Sequence, residues 1–232
     1  MIPIRDINPS KGTPVVNYTI IATCCLIFIY ELTLGPDVER FLYRYGLIPA
    51  RFFQGAETPG VSFLELLTPF FSSMFLHGGW LHVIGNMWIL HIFGDNVEGE
   101  LGHGRYLVFY LLCGFIAGML HVVVHPASPI PTVGASGAVA GVMGAYFVLY
   151  PRAKVLTLVP IFFFFTMVEL PAYVFLGIWF LLQFLSGAFT LLASRDEVVG
   201  IAWWAHVGGF LGGIALLFVM RATRQRQNNR SK

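Results

Sequence analysis

Charge is scarce in this sequence. Charged residues make up 11% of its 232 residues and hydrophobic residues make up 56%, whereas soluble domains carry about 25% charged residues. A soluble fold cannot bury that much apolar surface. Because a membrane-spanning helix needs about 20 apolar residues, the chain can supply about six crossings joined by short loops. We therefore expect an all-α polytopic membrane protein with one membrane domain.

Cysteine is also rare, and a leader pattern is lacking. Cys24 and Cys25 are adjacent in the first apolar run and Cys113 lies in a later one. This layout favours packing or lipid-facing thiols over a disulfide or metal framework. The segment from Met1 to Pro14 contains no apolar run, so we do not expect a cleavable signal peptide. The first span then serves as the membrane anchor.

Long apolar runs are plentiful, and each predicts a spanning helix. The fourth run has only 15 residues if it begins at Ser136. That is short for a full crossing and predicts that its outer end stops inside the bilayer. The six predicted spans are Val16 to Leu34, Trp80 to Val97, Tyr106 to Val124, Ser136 to Tyr150, Leu170 to Leu192 and Ala202 to Met220.

Two other segments do not fit this simple count. Gly35 to Gly79 is long and mixed in polarity, and we expect it to fold onto the membrane surface as a long first loop. Val155 to Met167 is apolar but short and contains Pro160. We interpret it as interfacial or packed structure before the fifth span.

The distribution of lysine and arginine predicts the orientation. With six spans both termini lie on one side, and ten basic residues fall there against four on the other. The positive-inside rule then places both termini in the cytoplasm, in a cell (plasma or inner) membrane. The four outer residues are Arg40, Arg44, Arg51 and Arg195, and the ten inner ones are Arg5, Lys11, Arg105, Arg152, Lys154, Arg221, Arg224, Arg226, Arg230 and Lys232.

The same spans divide the chain into three parts. We expect a cytoplasmic N-terminal tail at residues 1–15, a membrane domain at residues 16–220 and a basic cytoplasmic C-terminal tail at residues 221–232. The basic tail is most simply a topology determinant that also touches anionic lipid, and nucleic-acid binding is a remote alternative. The expected partner is the lipid bilayer, with no nucleic acid.

Polar side chains recur at the outer ends of three spans. In the predicted topology the second, fourth and sixth spans all enter from the outer side. Ser136 opens the fourth span, His206 lies about one turn into the sixth, and His82 and Asn86 occupy the first two turns of the second. Four polar side chains from distant sequence positions are therefore expected at one depth.

His206 strengthens the interpretation of Ser136 as a functional residue. Taken alone, the motif Gly134-Ala135-Ser136-Gly137 is weak, since Ser136 could simply cap the helix and its glycines could form a helix-packing face. Gly209 and Gly213, however, lie on the same helical face as His206 and permit close approach to the fourth helix. A histidine within reach of a serine hydroxyl is the arrangement that activates a nucleophile.

His82 and Asn86 are four residues apart and share one face of the second helix. Both can donate hydrogen bonds, which acyl transfer requires where negative charge develops. The alternative is that they join helices as ordinary polar contacts. His77 lies just outside this span, and we expect it to be structural.

Motifs for a metal site or a two-aspartate mechanism are lacking. His91, His103, His121 and His125 show neither HExxH nor paired-cysteine spacing, which argues against a zinc site. We expect no metal and no other cofactor. Asp95 is the sole aspartate within a predicted span, so a two-aspartate mechanism has no second partner.

Three separated motifs together resemble those of the rhomboid intramembrane serine proteases. The resemblance runs from about Phe63 to Met220, and Glu98, Gly102 and Arg105 also look like the family's structural pattern. The three motifs are His77-x4-His82-x3-Asn86, Gly134-Ala135-Ser136-Gly137 and Ala205-His206-x2-Gly209-x3-Gly213.

The resemblance implies a six-helix rhomboid-like bundle with a Ser136–His206 dyad and no catalytic aspartate. Asn86, His82 and the Ser136 backbone N–H would form the oxyanion hole. The enzyme would cleave transmembrane segments of single-span or other membrane proteins near the outer face.

The resemblance also implies a substrate gate, and this sequence departs from the family's pattern at one position. By resemblance the fifth span and the following loop, Phe175 to Ala202 with Trp179 and Phe180, would admit the substrate sideways. The alternative is that these aromatic side chains simply face lipid. Ala140 lies where some members carry a tyrosine thought to stack under the histidine, which leaves open how the His206 ring is steadied.

Two other classes of function compete with the protease. A catalytically silent rhomboid-like protein would bind or chaperone membrane clients, and a small transporter would show related halves. The sequence has no internal repeat, and the presence of both Ser136 and His206 favours the enzyme.

Overall fold

The computed structural model describes residues 1–161, 163–192 and 202–230. Within these ranges the chain forms nine α-helices and three β-strands. The helices are α1 (Val15–Thr33), α2 (Val38–Tyr45), α3 (Pro49–Glu57), α4 (Phe63–Ser72), α5 (Trp80–Leu101), α6 (His103–Val124), α7 (Ser136–Leu149), α8 (Ala172–Leu192) and α9 (Trp203–Arg230), and the strands are β1 (Ile2–Asp6), β2 (Lys154–Ile161) and β3 (Phe164–Pro171).

Six of these helices coincide with the six predicted spans, which confirms a polytopic helical bundle. α1, α6, α8 and the Trp203–Thr223 part of α9 are each long and apolar enough to cross a membrane. α7 has only 14 residues, in agreement with the short fourth run. Arg195 and Lys232, two of the basic residues that predict the orientation, lie outside the described residues.

α7 lies at the centre of the bundle, in contact with α5, α6, α8 and α9. Ten of its 14 residues are buried, so it has almost no lipid-facing surface. Its glycines allow the closest contacts, because a Cβ on Gly209 would overlap the carbonyl of Gly137 and a Cβ on Gly213 would overlap that of Gly141. The backbones of α7 and α9 therefore touch directly, as small residues permit in membrane helices.

A buried carboxylate ties the start of α1 to the end of α5. Glu98 is 1% exposed, and its oxygens accept the backbone N–H groups of Val16 at 2.9 Å and Asn17 at 2.7 Å. Since α1 has no side-chain cap of its own, Glu98 satisfies two of its free N–H groups and places negative charge at the positive end of the helix. Asn17 adds a bond to the Leu90 carbonyl and accepts the Tyr106 hydroxyl.

A three-stranded antiparallel sheet, in the order β1-β2-β3, closes one end of the bundle. The segment Val155 to Met167, expected to be interfacial or packed structure, is most of a β-hairpin rich in β-branched and aromatic residues. Thr157 is buried, whereas Phe163 and Phe164 at the tip are exposed. Because β1 precedes α1 and β2 follows α7, the sheet places the N-terminus and the α7–α8 connection on one side, as six spans require.

The long first loop forms α2, α3 and α4. α4 begins with a reciprocal capping box, in which the Ser62 hydroxyl accepts the Glu65 backbone N–H and the Glu65 carboxylate accepts the Ser62 backbone N–H. Phe70 of α4 is buried between Phe52 of α3 and Phe115 of α6. The loop thus packs onto α6 through its own aromatic cluster.

The backbone contact between α7 and α9 predicts the effect of one added methyl group. Gly209→Ala should lower stability by about 1–3 kcal/mol, because the methyl group must push α9 away from the Gly137 carbonyl. Thermal unfolding in detergent, followed by circular dichroism, measures this.

Gly104→Ala is the matched control, because a Cβ at Gly104 in α6 meets open space. Alanine has the higher helix propensity, so this variant should unfold at the wild-type temperature or slightly above it. Equal melting temperatures for the two variants would contradict the close packing of α7 against α9.

Candidate active site

The polar residues picked out by their depth line one cavity of about 1000 Å³. α5 contributes His82 and Asn86, α7 contributes Ser136 and α9 contributes His206. α8 and the loop before α7 complete the wall. The structure thus brings together all four of the side chains that were expected at one depth.

Ser136 and His206 are hydrogen-bonded to each other. The Ser136 Oγ lies 2.9 Å from Nε2 of His206. Ser136 is the first residue of α7, Ala135 is the N-cap residue, and no side chain caps the helix. The serine therefore does not act as the helix cap, and its hydroxyl is directed to the histidine.

The glycines around the pair explain how the two side chains meet. Gly137 follows the serine and Gly209 lies three residues after the histidine, and a Cβ on Gly209 would overlap the Gly137 carbonyl. α6 supports the same contact, because Ala117 lies where a side chain on Gly137 would have to fit. The spacing of the glycines thus fixes the separation of the two functional groups.

His82 and Asn86 lie against the backbone just before the serine. Gly134 has φ +126°, and a Cβ on it would lie 2.6 Å from Nε2 of His82 and 3.7 Å from Nδ2 of Asn86. Only glycine suits both this backbone conformation and this close approach. The Asn86 Nδ2 is buried without a hydrogen-bond partner in the described part of the chain. An unpaired buried donor facing a cavity is poised to bind an acceptor atom of a ligand.

His77 supports this wall and is itself buried. Its backbone N–H donates to the carboxylate of Glu31 at 3.3 Å, and its ring packs edge-to-face on His82 with centroids 5.2 Å apart. These contacts fit the structural part that was expected for His77. His77, which lies in the loop before α5, thus helps to position the His82 ring through this ring contact.

Gln183 of α8 is a contact that the sequence analysis missed. Its Oε1 lies 2.7 Å from Nδ1 of His206, and the side chain is 9% exposed. The Trp179 ring, one turn earlier on α8, lies 6.0 Å from the His206 ring at 35°. Burying a glutamine inside an apolar span costs free energy unless its side chain is paired. This cost is the signal in the sequence from which a role for Gln183 could have been predicted.

The predicted gate is described only in part. Of the range from Phe175 to Ala202, residues 193–201 lie outside the described residues. In the described part Trp179 borders the cavity, and Phe180 packs on Phe210 with ring centroids 4.9 Å apart. Both rings contact α9, so the alternative of purely lipid-facing aromatic side chains does not hold for them.

Two further histidines lie close together near the cavity. His121 and His125 have rings 5.0 Å apart, and His121 Nε2 lies 2.9 Å from Oγ1 of Thr132. Among the described residues, no three His, Cys, Asp or Glu side chains come together as metal ligands would. The described polar side chains that line the cavity include hydroxyls, imidazoles and amides.

Comparison with known proteins gives a consistent family. The chain is 25% identical over 215 residues to the bovine (Bos taurus) presenilin-associated rhomboid-like protein, mitochondrial, covering 89% of this chain and 48% of that relative. It is 31% identical to RHOMBOID-like protein 6, mitochondrial, of Arabidopsis thaliana, over 64% of this chain and 42% of the relative. It is 32% identical to Rhomboid protease GluP of Bacillus subtilis (strain 168), over 58% of this chain and 24% of the relative.

The chain spans about half the length of the presenilin-associated relatives that it matches. The Rhomboid domain family model matches residues 65–223. That range contains α5 to α8, most of α9 and every residue of the candidate site. The chain therefore belongs to the rhomboid family.

Proposed function

We propose that this protein is an intramembrane serine endopeptidase that cleaves transmembrane segments of single-span or other membrane proteins near their outer ends. The observation that carries the proposal is the 2.9 Å contact between Ser136 Oγ and His206 Nε2 beside a cavity within the helical bundle. Membership of the family and the likeness to Rhomboid protease GluP support the reaction class.

Ser136 and His206 divide the proton transfers between them. His206 Nε2 takes the Ser136 hydroxyl proton as Oγ attacks the carbonyl carbon of the scissile peptide bond. The imidazolium then gives that proton to the leaving amine, and an acyl-enzyme remains. Water attacks the ester while His206 takes a proton from the water. His206 then returns that proton to Ser136 Oγ, which releases the carboxyl product and restores the pair.

Three groups stabilise the negative charge on the substrate oxygen in this mechanism. Asn86 offers a buried amide that has no other partner among the described residues, and His82 lies beside it against Gly134. The backbone N–H of Ser136 lies at the N-terminus of α7, where helix N–H groups are free and the helix dipole favours an anion. Donors that need no rearrangement are the ones that lower the barrier most.

Substrate admission requires α8 to move. Its outward residues include Leu181, Leu182 and Leu185, all of them more than half exposed, so this helix borders lipid on one side and the cavity on the other. We propose that a substrate segment enters between α5 and α8. An opening there exposes the cavity to the bilayer and leaves the contact of α7 with α9 intact.

The orientation and the division of the chain complete the proposal. We propose cytoplasmic termini and a cell (plasma or inner) membrane, with residues 1–15 as the first tail, 16–220 as the membrane domain and 221–232 as the basic tail. The charge asymmetry supports this orientation. Two of the relatives described above carry the word mitochondrial in their names, so a mitochondrial membrane is the alternative location.

The first prediction concerns the nucleophile and the base. Ser136→Ala and His206→Ala should each abolish cleavage of a reporter transmembrane substrate in liposomes, and Ser136→Ala should also abolish labelling by a fluorophosphonate. The reason is that the reaction needs both the oxygen nucleophile and its proton acceptor. Cleavage is measured by electrophoresis of the products.

Ser10→Ala and His91→Ala are matched controls, since neither residue borders the cavity. Both controls should cleave and label like the wild-type protein. If the wild-type protein neither labels nor cleaves, the silent rhomboid-like binding protein becomes the better description.

The second prediction separates a charge-stabilising amide from a structural one. Asn86→Ala should lower kcat by about 10²–10³, as loss of an oxyanion donor does, with little change in melting temperature. Asn17→Ala should do the reverse, because Asn17 is buried and bonds to Leu90 and Tyr106 away from the cavity. If Asn86→Ala lowers only the melting temperature, Asn86 is a helix-joining residue.

The third prediction concerns the substrate. A serine can attack only where a substrate helix unwinds, and each backbone group left unpaired in lipid costs several kcal/mol. Replacing Gly, Pro or polar residues just below the cut site by Leu should therefore slow cleavage at least about tenfold, since the helix becomes harder to open. Mass spectrometry of the products locates the cut. Undiminished cleavage, or a cut at the cytoplasmic end, contradicts the proposed depth and orientation.

A further inference from the structure

We propose that Gln183 is a positioning residue that holds His206 in the tautomer in which Nδ1 carries the proton. The inference rests on the proposed function of the Ser136–His206 pair. It starts from two contacts of one imidazole ring, Nε2 to Ser136 Oγ at 2.9 Å and Nδ1 to Gln183 Oε1 at 2.7 Å.

The two contacts require opposite states of the two ring nitrogens. A neutral imidazole carries one N–H and one acceptor nitrogen. To take the Ser136 proton, Nε2 must be the acceptor, so Nδ1 must carry the hydrogen and needs an acceptor of its own. The carbonyl oxygen of Gln183 is that acceptor. If the amide nitrogen of Gln183 faced Nδ1 instead, the ring proton would move to Nε2 and the serine would lose its base.

The position of Gln183 argues for a role beyond packing. It is the only amide side chain in α8, among apolar neighbours, and it is 9% exposed. A polar side chain inside a membrane helix is costly unless it is paired. Its side-chain oxygen is hydrogen-bonded to His206, so the compensation for burying it lies at the proposed catalytic base.

Trp179 completes the support from the same helix. It lies one turn before Gln183, and its ring centroid lies 6.0 Å from that of the His206 ring, with the two planes at 35°. On α7, Ala140 is fully buried and has no ring to offer. The histidine is therefore steadied from α8 by one hydrogen bond and one aromatic contact.

This arrangement links the base to the helix that we propose as the gate. Beyond Gln183, the outer part of α8 meets α9 through Gly187, where a Cβ would lie 3.2 Å from Trp203 and from Trp204. An outward movement of α8 would separate Gln183 and Trp179 from His206. On this proposal the His206 ring keeps its hydrogen bond to α8 only while α8 is closed.

The test compares Gln183→Leu with Gln183→Glu in the full-length protein. Leucine removes the acceptor, so kcat should fall about 10- to 100-fold with little change in KM, less than the ~10⁴ lost when a triad histidine is held in the wrong tautomer. Glutamate keeps an oxygen for Nδ1 and should leave kcat within about tenfold of wild type. A dead glutamate variant beside an active leucine variant would overturn the proposal.

A second readout does not depend on activity. In protein labelled with ¹⁵N-histidine, the ring-nitrogen shifts of His206, assigned against His206→Ala, should show the Nδ1–H tautomer in the wild type and in Gln183→Glu. In Gln183→Leu the Nε2–H form should gain population. An unchanged tautomer in Gln183→Leu would overturn the inference even in a protein with no measurable protease activity, which separates its failure from that of the proposed function.

Leu176→Ala is the matched control for loss of packing in α8. Leu176 is fully buried on α8 and does not border the cavity. This variant should lower the melting temperature and leave the tautomer unchanged. If it shifts the tautomer as much as Gln183→Leu does, general docking of α8 holds the histidine and the assignment to Gln183 is wrong.

Discussion

The direct backbone contact between α7 and α9 is the constraint on which the rest of the site depends. In lipid, helices gain little from burying apolar side chains, so association depends on close packing and polar contacts. Gly137 and Gly141 face Gly209 and Gly213 with no room for a Cβ. Because these helices cannot slide or turn without overlap, the side chains at their ends are held in register. Ser136 and His206 are the side chains so held.

The short length of α7 leaves polar backbone groups next to that contact. A helix of 14 residues is too short to cross a bilayer, so in a membrane its free N–H groups and the loop before it must be shielded from lipid. α5 supplies that shield with His82 and Asn86, and the Asn86 amide still lacks a partner in the described part of the chain. Burying an unpaired donor costs about 1–3 kcal/mol. The cost is tolerable here because the surrounding helices are fixed by their own contacts, and it leaves the donor free for an acceptor atom of a ligand.

Sequence reasoning recovered the parts of this molecule that periodicity and chemistry dictate. The six apolar runs predicted the bundle because membrane spans are the strongest pattern a sequence carries, and Ser136 and His206 followed from depth and glycine spacing. The sheet was not predicted as a sheet, since a short apolar run such as Val155 to Met167 fits strand and buried helix equally well. Gln183 was missed for another reason. Packing against α9 decides which face of α8 points into the bundle, and the sequence of an apolar helix has no polar stripe from which that face could be predicted.

The choice of an amide at position 183 follows from the medium. An aspartate or glutamate there would orient the imidazole and also stabilise the imidazolium, as in soluble serine proteases. In a membrane bundle a carboxylate must be buried at a cost of several kcal/mol, and it repays that cost only when the histidine is charged. A neutral glutamine orients the ring without adding a charge to the resting protein. It gives up part of the stabilisation of the charged intermediate, which then depends more heavily on the donors around the substrate oxygen. In the proposed mechanism, a dyad with an amide support and an oxyanion hole built from two helices, α5 and α7, is consistent with acyl transfer inside a membrane.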